Sequence, residues 1–378
     1  MRLLVFIGLI AGFFSCSNTQ ESKPVLNSAP VVPYLSAPEG FSVHVYAEGV
    51  TNARQMAMSP NGILYVGSRR KGVVHAVIDR NNDYQADTVL IIAENLRLPN
   101  GVAWKDGDLY VAEVSKIWKF PDIDDNLDQP TPELVSDDFP TDGNHGWKYI
   151  AFGPDDKLYV PVGAPCNICN KEEENPIYAS LTRMDADGTN REIIAHGIRN
   201  TVGFTWHPET GNLWFTDNGR DWMGDDIPPC ELNELTKPGQ HFGYPYLHGN
   251  DIWDPEFGEE GMKKQEQFTR PVQELGPHVA PLGVLFYHGQ QFPDQYKNQA
   301  LIAEHGSWNR ENKIGYRIMM VTFDENGNAT SYEPFIDGWL QADEEVKGRP
   351  VALLQLDDGS VLISDDLSGT IYRVVYTG

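Results

Sequence analysis

Short apolar strands joined by polar turns recur along most of the chain. Six stretches carry this pattern, and they cover residues 57–78, 102–120, 150–165, 204–221, 284–306 and 353–375. Five of them contain an alternating apolar strand, a turn rich in Asp, Asn, Gly or Pro, and a second strand such as LYV, LWF or VLI. The stretch at 284–306 has the same two strands around a longer loop. Alternation with a period of two indicates β-strands, and the turn residues between them indicate hairpins.

The spacing of these stretches predicts an all-β protein, a six-bladed β-propeller with four-stranded antiparallel blades. Successive stretches begin 45 to 80 residues apart, and repeats of about 40 residues or more with two hairpins each are typical of propeller blades. We expect the segment FSVHVYAEG (41–49) to add a strand to the last blade and close the ring. The irregular stretch 238–280 is predicted to be a loop on one face.

The first residues, MRLLVFIGLIAGFFSCSN, form a short apolar run that ends in a Ser-Cys pair. The run is too short to span a bilayer as a helix and predicts a secretion signal. The position of Cys16 resembles a bacterial lipobox, so we expect residues 1–16 to be a lipoprotein signal peptide and Cys16 to be lipidated. An ordinary signal peptide that contains a cysteine is the alternative.

The segment after this signal, residues 17–37, is polar and contains several prolines, which predicts a flexible tether. A propeller domain is expected to follow at 38–378. The protein is then expected in the periplasm or at the cell surface, held to a bacterial membrane by its lipid.

The charge of the chain excludes one class of partner. Its 378 residues include 54 acidic and 29 basic side chains, a formal net charge of −25. Such a surface repels phosphate backbones and anionic headgroups. Nucleic acid is therefore excluded, and contact with a membrane is expected through the lipid anchor alone. The acidity is compatible with a small neutral substrate, with calcium, or simply with solubility.

Three cysteines follow the predicted signal peptide. Cys166 and Cys169 form a C-x-x-C motif, which on its own is compatible with half of a zinc site, a redox pair or a short disulfide. No second C-x-x-C and no paired histidine follows at zinc spacing, and Cys230 stands alone. Because secreted proteins form disulfides readily, we predict a structural Cys166–Cys169 disulfide, with a thioredoxin-like role as the alternative.

Polar side chains recur beside the predicted inner strands, where the loops of different blades converge on one face. They are His145, Arg199, Asn200, His305, Arg310, Lys347 and Arg349. Cations that converge in a protein of net charge −25 indicate an anionic ligand, because a guanidinium group binds a carboxylate through two hydrogen bonds. The alternative is that each arginine pairs with a neighbouring aspartate at the rim.

Four groups of motifs together resemble one enzyme family. They are GNHGWKYIAFGPDDKLYVPVGAPCNIC, HGIRNTVGFTWHPETGNLWFTDNGRDWMGDD, AEHGSWNR with KIGYR, and GRPVALL with LISDD. Over residues 38–376 their order is similar to that of the sorbosone and aldose sugar dehydrogenases, soluble quinoproteins that use pyrroloquinoline quinone (PQQ) on a six-bladed propeller. The resemblance is nearest to the sorbosone dehydrogenase-like branch. It implies PQQ- and calcium-dependent oxidation of an aldose, sorbosone or a similar aldehyde or hemiacetal.

The resemblance also implies roles for individual residues. His145 matches the family's general base, which takes a proton from the anomeric hydroxyl while hydride moves to the quinone. An imidazole suits this role because its pKa lies near working pH. Arg199 and Asn200 match an Arg-Asn pair beside the cofactor, in which the arginine stabilises negative charge that develops on the quinone oxygen. Lys347 and Arg349 match the basic residues that hold the cofactor's carboxylates.

A calcium site is implied in the same way. The backbone carbonyls of Gly219 and Arg220 match the calcium ligands, with Asn218 beside the cofactor, and calcium readily takes such oxygens. The ion would bind and polarise the quinone. Two positions depart from the family pattern, since Arg220 stands where the soluble glucose dehydrogenases have proline and Cys230 stands where an acid is expected. Nearby acids are Asp225, Asp226 and Glu231.

Other features are less specific. His305 and Arg310 fall near a lysine of the soluble glucose dehydrogenases that contributes to the cofactor site. The segment 79–87 (DRNNDYQAD) has calcium-loop spacing but lacks the usual glycine and closing glutamate, so a solvated turn is favoured. Four tryptophans near the predicted mouth could stack on sugar or quinone, although packing in the core is the favoured interpretation for each. They are Trp147, Trp206, Trp222 and Trp308.

Two other functions are compatible with a propeller. A calcium-dependent lactonase needs several acidic side chains around one metal, whereas the predicted mouth carries mainly His, Asn, Arg and Lys. A propeller that only binds a glycan or a protein would not need the His, Arg-Asn and Lys-x-Arg set together. For the enzyme, the sequence has no C-x-x-C-H haem motif, which predicts a separate electron acceptor, either a cytochrome or a quinone.

Overall fold

The computed structural model describes residues 30–378, and in it the chain forms six antiparallel blades arranged in a ring. The predicted six-bladed β-propeller is therefore confirmed. The predicted signal peptide, with Cys16, lies outside the described residues. Between residues 30 and 378, the helices are all too short or too polar to cross a membrane.

Blades 1 to 3 use consecutive strands, which we number in chain order. Strand β1 (Phe41–Ala47) precedes the first complete blade. Blade 1 contains β2 (Ala53–Met58), β3 (Ile63–Ser68), β4 (Val74–Ile78) and β5 (Thr88–Ala93). Blade 2 contains β6 (Gly101–Lys105), β7 (Asp108–Ala112), β8 (Ile117–Phe120) and β9 (Glu133–Ser136), with a 3-10 turn at Ile123–Asp125. Blade 3 contains β10 (Ala151–Phe152), β11 (Leu158–Val162), β12 (Ser180–Met184) and β13 (Glu192–His196).

Blades 4 to 6 complete the ring. Blade 4 begins with β14 (Phe204–Trp206), β15 (Leu213–Asp217) and β16 (Pro229–Leu235). A long connection follows, with β17 (Gln240–His241), β18 (Leu247–His248), β19 (Ile252–Trp253), a helical turn at Gly258–Gly261 and a 3-10 helix at Met262–Gln267, before β20 (Gln273–Pro277) returns to blade 4. Blade 5 contains β21 (Pro281–Phe286), β22 (Ala300–Glu304), β23 (Arg317–Phe323) and β24 (Ala329–Ile336), with a 3-10 turn at Asp294–Tyr296. Blade 6 contains β25 (Pro350–Gln355), β26 (Val361–Asp365), β27 (Ile371–Tyr376) and β1.

The second strand of a blade is covered on both faces, because a neighbouring blade packs against each side. Every residue of β3 (ILYVGS), β11 (LYVPV) and β26 (VLISD) is buried. Such strands are apolar on both faces. Their sequences are therefore continuous apolar runs, whereas a strand with one exposed face alternates between apolar and polar residues. The outer strand β9 (ELVS) keeps exposed positions. The core therefore lies between the blades, and the channel side is left to the innermost strands.

The N-terminal strand closes the ring, as the sequence predicts. Strand β1 pairs antiparallel with β27, with Phe41 opposite Tyr376. At the centre, the innermost strand β2 contacts the innermost strands β6 and β25 of its neighbours. The loops at the ends of these inner strands therefore meet around one axis.

The segment 238–280 differs from the expectation of a plain loop. Its last part is β20, which pairs with β16 as the outermost strand of blade 4, and Cys230 lies opposite Leu275. Gly276 and Pro277 are poor strand formers, and they obscure this strand in the sequence.

The end of the predicted tether also differs from the expectation. The Val32 backbone N–H donates to the Val43 carbonyl at 2.8 Å, and the Ser36 N–H donates to the Asp337 carbonyl at 2.8 Å. The hydroxyl groups of Tyr34 and Tyr372 are 3.0 Å apart. Residues 30–37 therefore pack on the propeller, and the domain begins before residue 38.

Candidate active site

One cavity of about 470 Å³ opens where loops of blades 1, 3, 4, 5 and 6 meet. This volume lies within the range of small-molecule sites. Among the described residues, the charged groups that line it beside three histidines are five arginines and one carboxylate, namely Arg54, Arg69, Arg70, Arg199, Arg349 and Asp221. A chain with a net charge of −25 therefore concentrates positive charge in this cavity.

His145, in the loop before β10, lines the cavity. Its φ of 47° is in the left-handed region, which is uncommon outside glycine and frequent at functional sites. Its Nδ1 lies 2.8 Å from the Ala164 carbonyl. Because a carbonyl can only accept, Nδ1 carries the proton and Nε2 is the basic nitrogen. Gly163 permits this position, since a Cβ there would stand 2.6 Å from the Cβ of His145.

The charge state of His145 is set by its surroundings. Burial, together with the positive charges of Arg199 and Arg69, lowers the pKa of His145 to about 3. The imidazole is therefore neutral over the physiological range, which is the form that accepts a proton. An anion bound beside it would raise this pKa, because negative charge favours the imidazolium form.

Arg199 precedes β14, and four hydrogen bonds engage four of its five N–H groups. Nε donates to the Asn167 carbonyl at 2.9 Å, and Nη1 donates to the Asn218 carbonyl at 3.1 Å. Nη2 donates to Asn167 Oδ1 at 2.8 Å and to Asp221 Oδ2 at 3.3 Å. The guanidinium group is thus a positive charge held in one orientation. We refer to Arg199, Asn167, Asn218 and Asp221 as the Arg199 wall.

The C-x-x-C loop supports this wall. Cys166 and Cys169 form the predicted disulfide, and Asn167 lies between them. Asn167 Nδ2 donates to the Asp221 carbonyl at 3.0 Å, while the Asp221 backbone N–H donates to Asn167 Oδ1 at 2.8 Å. One asparagine therefore fixes Arg199 and Asp221 relative to each other.

Asp217, at the end of β15, supports the Arg199–Asn200 turn. Its carboxylate accepts the backbone N–H groups of Arg199 at 2.8 Å and Asn200 at 2.6 Å. Asn218 Nδ2 donates to the carbonyls of Asn200 and Pro281, both at 3.0 Å, which links blades 4 and 5. Burial raises the pKa of Asp217 to about 6, against the effect of these hydrogen bonds. Asn200 and Asn218, both predicted to contact a cofactor, do line the cavity.

Asp366, which follows β26, gathers three basic side chains. Its Oδ2 lies 3.1 Å from Arg54 Nη1, and its Oδ1 lies 3.0 Å from His305 Nε2. Arg349 Nε lies 2.9 Å from Oδ1 at an angle that gives an ion pair without a hydrogen bond. Burial alone would raise the pKa of Asp366, but His305 and the two guanidinium groups hold it well below its usual range. We refer to Arg54, His305, Arg349 and Asp366 as the Asp366 wall.

Further positive charge lies in the loop after β3. The guanidinium carbon of Arg69 stands 3.7 Å from the centre of the Trp147 ring, a cation–π contact. Burial and the neighbouring charge of Arg54 lower the pKa of Arg69 to about 9. Within residues 30–378, the Nε atoms of Arg69 and Arg349 are buried without a hydrogen-bond acceptor. Buried donors are costly unless paired, so this region fits an anionic ligand.

The sequence-based prediction missed several of these groups. Arg54, Arg69, Arg70 and Asp366 were not among the predicted site residues. Two signals were available, namely an arginine within the otherwise apolar strand ARQMAM and the pair of arginines that follows β3.

Two predicted residues are not brought into the cavity lining. Arg310 Nη2 lies 3.4 Å from Asp226 Oδ1, and Lys347 Nζ lies 2.6 Å from Glu345 Oε2. Both cations are therefore neutralised at the rim, which is the alternative that the sequence left open.

The predicted calcium ligands are only partly placed at the cavity. Gly219 lines it, whereas the Arg220 guanidinium is buried against Asp254, with Nη1 2.5 Å from Oδ2. Cys230 also lines the cavity, and burial raises the pKa of its thiol to about 12. Across residues 30–378, no three His, Cys, Asp or Glu side chains are grouped so as to hold a metal ion. The predicted calcium ligands are backbone carbonyls, which such a group of side chains does not include.

The weaker sequence signals have different outcomes. Trp147 and Trp308 line the cavity, and Trp222 lies against Trp308. Trp206 packs on Tyr159, with ring centres 5.1 Å apart, as a blade residue. His278, which was not among the predicted site residues, also lines the cavity. In the segment 79–87 the carboxylate of Asp79 accepts backbone N–H groups of its own turn, which favours the solvated turn.

Comparison with protein families gives one match over most of the chain. The family described as Glucose / Sorbosone dehydrogenase matches residues 132–373. A protein of Borreliella burgdorferi is 32% identical over 368 residues, which cover 94% of each chain. A pyrroloquinoline quinone-dependent pyranose dehydrogenase of Coprinopsis cinerea is 23% identical over 96% of this chain, which spans 56% of that enzyme.

Solved structures share the fold. The holo form of the PQQ domain of the Coprinopsis cinerea pyranose dehydrogenase superposes with a TM-score of 0.74 at 17% identity, over 92% of this chain and 98% of that one. The PQQ-bound aldose sugar dehydrogenase of Streptomyces coelicolor superposes with a TM-score of 0.65 at 18% identity, over 90% of this chain and 99% of that one. At 17% and 18% sequence identity, these structural likenesses show that the fold is shared.

Proposed function

Since the chain belongs to the glucose/sorbosone dehydrogenase family, we propose that it is a PQQ-dependent sugar dehydrogenase whose active site is the arginine-rich cavity. The observation that carries the proposal is the convergence of an oriented, neutral His145 and five arginines on one cavity. Such an enzyme needs a base for the substrate hydroxyl and cations for an anionic cofactor. The proposed substrate is an aldose, sorbosone or a similar aldehyde or hemiacetal.

The residues present fit PQQ, which is planar and carries carboxylates. Arg69 and Arg349 would hold these carboxylates, because both line the cavity and their buried Nε atoms lack acceptors. Arg54, which donates to Asn100 and Asp366, would add positive charge to the same lining. Asn200 and Asn218 offer amide groups on the same lining. When bound, PQQ supplies a quinone that accepts hydride from the substrate. Named relatives of this chain depend on the same cofactor, which supports its assignment here.

His145 is proposed to act as the general base. Its Nε2 would take the proton of the anomeric hydroxyl, since Nδ1 is committed to the Ala164 carbonyl. Such proton transfer typically contributes 10²–10⁴-fold to the rate. Arg199 would stabilise the negative charge that develops during the reaction, and its fixed orientation means that no reorganisation is needed.

Calcium is proposed as a ligand whose binding depends on the cofactor. The predicted ligands are the carbonyls of Gly219 and Arg220, but the arginines of the cavity repel a free divalent cation, and the Asn218 carbonyl beside them already accepts from Arg199. The protein residues alone do not fit the ion, so we derive no step through it. We propose that calcium binds only together with an anionic cofactor, which a calcium titration in the presence and absence of PQQ would test.

The cellular setting is proposed from the sequence alone. The N-terminal motif indicates export and lipidation at Cys16, and electrons would pass to a separate cytochrome or quinone. Mass spectrometry of the mature N-terminus tests the lipid, and an unmodified residue at that position would contradict it.

Reconstitution tests the enzymatic proposal. The protein is stripped of metals, PQQ is added with and without calcium, and dye reduction is followed with aldoses, sorbosone and simple alcohols. We expect turnover that falls 10²–10⁴-fold in His145→Ala with PQQ affinity preserved. His288→Ala, at an exposed histidine of blade 5, is the matched control. Failure to bind PQQ at any calcium concentration would overturn the proposal.

A lactonase is a weaker candidate for this cavity. Among the described lining residues, Asp221 is the single carboxylate, and it is engaged by Arg199 and Asn309. Hydrolysis assisted by a metal held on acidic side chains has no such set of ligands here. Binding of PQQ without turnover of any sugar would instead favour a propeller that only binds its ligand.

A further inference from the structure

Two tryptophans are exposed together at the mouth of the cavity. Trp222 and Trp308 are each 69% exposed, with ring centres 5.5 Å apart and planes at 88°. Trp222 has a φ of 69°, a left-handed conformation that costs on the order of 1–2 kcal/mol for a residue with a Cβ. Large aromatic side chains normally bury their surface. A strained backbone that presents an indole to solvent is therefore a feature that requires explanation.

The loops that carry the two tryptophans are fixed to each other. Asn309 Nδ2 donates to Asp221 Oδ1 at 2.9 Å, directly beside both indoles in sequence. The Glu311 backbone N–H donates to Asp225 Oδ2 at 3.0 Å, and Arg310 hydrogen bonds to the Asp225 carbonyl. These contacts join the loop after β15 to the loop after β22. The aromatic pair is thus held in place, so a ligand could bind there without an entropic cost for ordering the two loops.

We propose that Trp222 and Trp308 form an outer carbohydrate subsite, which binds the second ring of a di- or oligosaccharide while the first ring lies at His145. The inference rests on the proposed function, and it names the substrate class as sugars of at least two rings. Trp308 lines the cavity, whereas Trp222 lies outside its lining. A ring that contacts both indoles would therefore extend out of the cavity from the reacting ring.

The surroundings of the pair favour a sugar over an apolar partner. A pyranose has an apolar C–H face and a rim of hydroxyl groups, so it needs an aromatic surface beside hydrogen-bonding groups. Asp225 and Asp226 lie on the same loop as Trp222, and they contact the Trp308 loop at Glu311 and Arg310. The Asp226 side chain is 92% exposed, so hydrogen-bonding groups are available on these two loops. A protein partner would need about 800 Å² of complementary surface on this side, and two side chains do not supply it.

Binding measurements test the subsite independently of catalysis. Calorimetry on the cofactor-free full-length protein and on the PQQ-loaded protein would compare glucose with maltose, cellobiose and their trisaccharides. We expect at least one trisaccharide to bind more tightly than glucose. Trp222→Ala and Trp308→Ala should each weaken that binding by about tenfold. Trp222→Ala, whose indole lies outside the cavity lining, should leave glucose binding within about twofold. Trp222→Phe should keep most of the affinity, and Leu134→Ala, at a similarly exposed position on β9, is the control.

The outcomes separate this inference from the proposed function. Suppose that PQQ binds and glucose is oxidised. If no oligosaccharide then binds more tightly than glucose, or if the tryptophan variants leave oligosaccharide affinity unchanged, the subsite is overturned and the dehydrogenase proposal stands. If PQQ never binds, while oligosaccharide binding is weakened in the variants, the subsite stands and the dehydrogenase proposal fails. Equal loss of glucose and oligosaccharide affinity would also overturn it, because the tryptophans would then belong to the inner site.

Discussion

The Arg199 wall and the Asp366 wall both present arginines, but the hydrogen bonding of these arginines differs. Arg199 donates four hydrogen bonds to oxygen atoms of the protein. On the Asp366 wall, one carboxylate serves Arg54, Arg349 and His305, and Arg69 adds its charge nearby. An arginine with four of its five donors engaged by protein oxygens fixes the shape and field of a site. Arginines that share one carboxylate have donors left for a ligand.

The difference assigns separate tasks to the two walls in the proposed enzyme. The Asp366 wall would bind the anionic groups of the cofactor, and the Arg199 wall would hold a positive charge near His145. Resemblance alone implies that Arg199 and Arg349 both belong to the cofactor site. Their hydrogen-bond partners distinguish a positioning group from a binding group.

Replacing the shared carboxylate would break the Asp366 wall and have the largest effect. In Asp366→Asn, two guanidinium groups lose their buried counter-charge and His305 loses a charged hydrogen-bond partner, which typically costs about 3–5 kcal/mol. Chemical denaturation should show this loss in the free energy of unfolding. Asp357→Asn, at an exposed aspartate of the same blade, should change it by less than about 0.5 kcal/mol. A variant within 1 kcal/mol of the parent would show that the wall is not held by this group.

Matched arginine substitutions sharpen the comparison. Arg349→Gln should weaken PQQ binding by about 10–100-fold, the range for losing hydrogen bonds to a charged group, with a small change in stability. Arg199→Gln should do the reverse, with a lower free energy of unfolding and a smaller change in affinity. Absorbance titration with PQQ and chemical denaturation of both variants measure this. Equal effects of the two substitutions on affinity would remove the distinction between the walls.

The support of the Arg199 wall can be weakened without touching the arginine. Asn167→Ala removes the Oδ1 acceptor that Arg199 and the Asp221 backbone N–H share, together with the Nδ2 donor to the Asp221 carbonyl. The backbone carbonyl that accepts from Arg199 Nε remains. We expect kcat to fall by about tenfold, in line with a lost charged hydrogen bond, with PQQ affinity preserved. Asn326→Ala, at an exposed turn of blade 5, is the control. A loss of PQQ affinity equal to the loss in kcat would contradict a positioning role.

The smallest effect concerns the protonation of His145. In the unfolded chain histidine binds a proton near pH 6.5, whereas burial and nearby arginines lower the pKa of folded His145 to about 3. The unfolded state therefore takes up the proton first, and the free energy of unfolding falls as pH falls through this window. From pH 8 to pH 6 this group contributes about 0.8 kcal/mol. Between pH 8 and pH 6, the free energy of unfolding of His145→Asn should fall by about 0.8 kcal/mol less than that of the parent. An equal fall in both proteins would contradict the lowered pKa of His145.

The fold was predictable because its signal is local and repeated. Each blade brings its own apolar strands and turn residues, so six weak patterns support one another. The strand β20 was missed because Gly276 and Pro277 interrupt the pattern that Leu275 belongs to. The tether boundary was placed too late, since its contacts with residues such as Asp337 lie hundreds of positions away.

The site was predictable where a residue stands in a loop beside one of the first two strands of a blade. His145, Arg199 and Arg349 were found in this way. Asn218 and His305 follow the second strand of their blades and line the cavity. Lys347 precedes the same strand as Arg349, yet it pairs with Glu345, and sequence position does not reveal which way a side chain turns. The pair Arg54 and Asp366 was missed because 312 positions separate them and only the closed ring brings them together.

The closure of that ring has a consequence for how the protein is made. Strand β1 is made before the other strands of the ring, yet its partner β27 is made after all of them, with Phe41 opposite Tyr376. Until then β1 is an unpaired edge, the kind of surface on which strands of other chains add. Closure also brings Asp366 to Arg54, so the cavity acquires its charge balance only after blade 6 has been made. A chain cut short within blade 6 would keep β1 as an unpaired edge on which other chains can add strands. It would also lack the Asp366 wall.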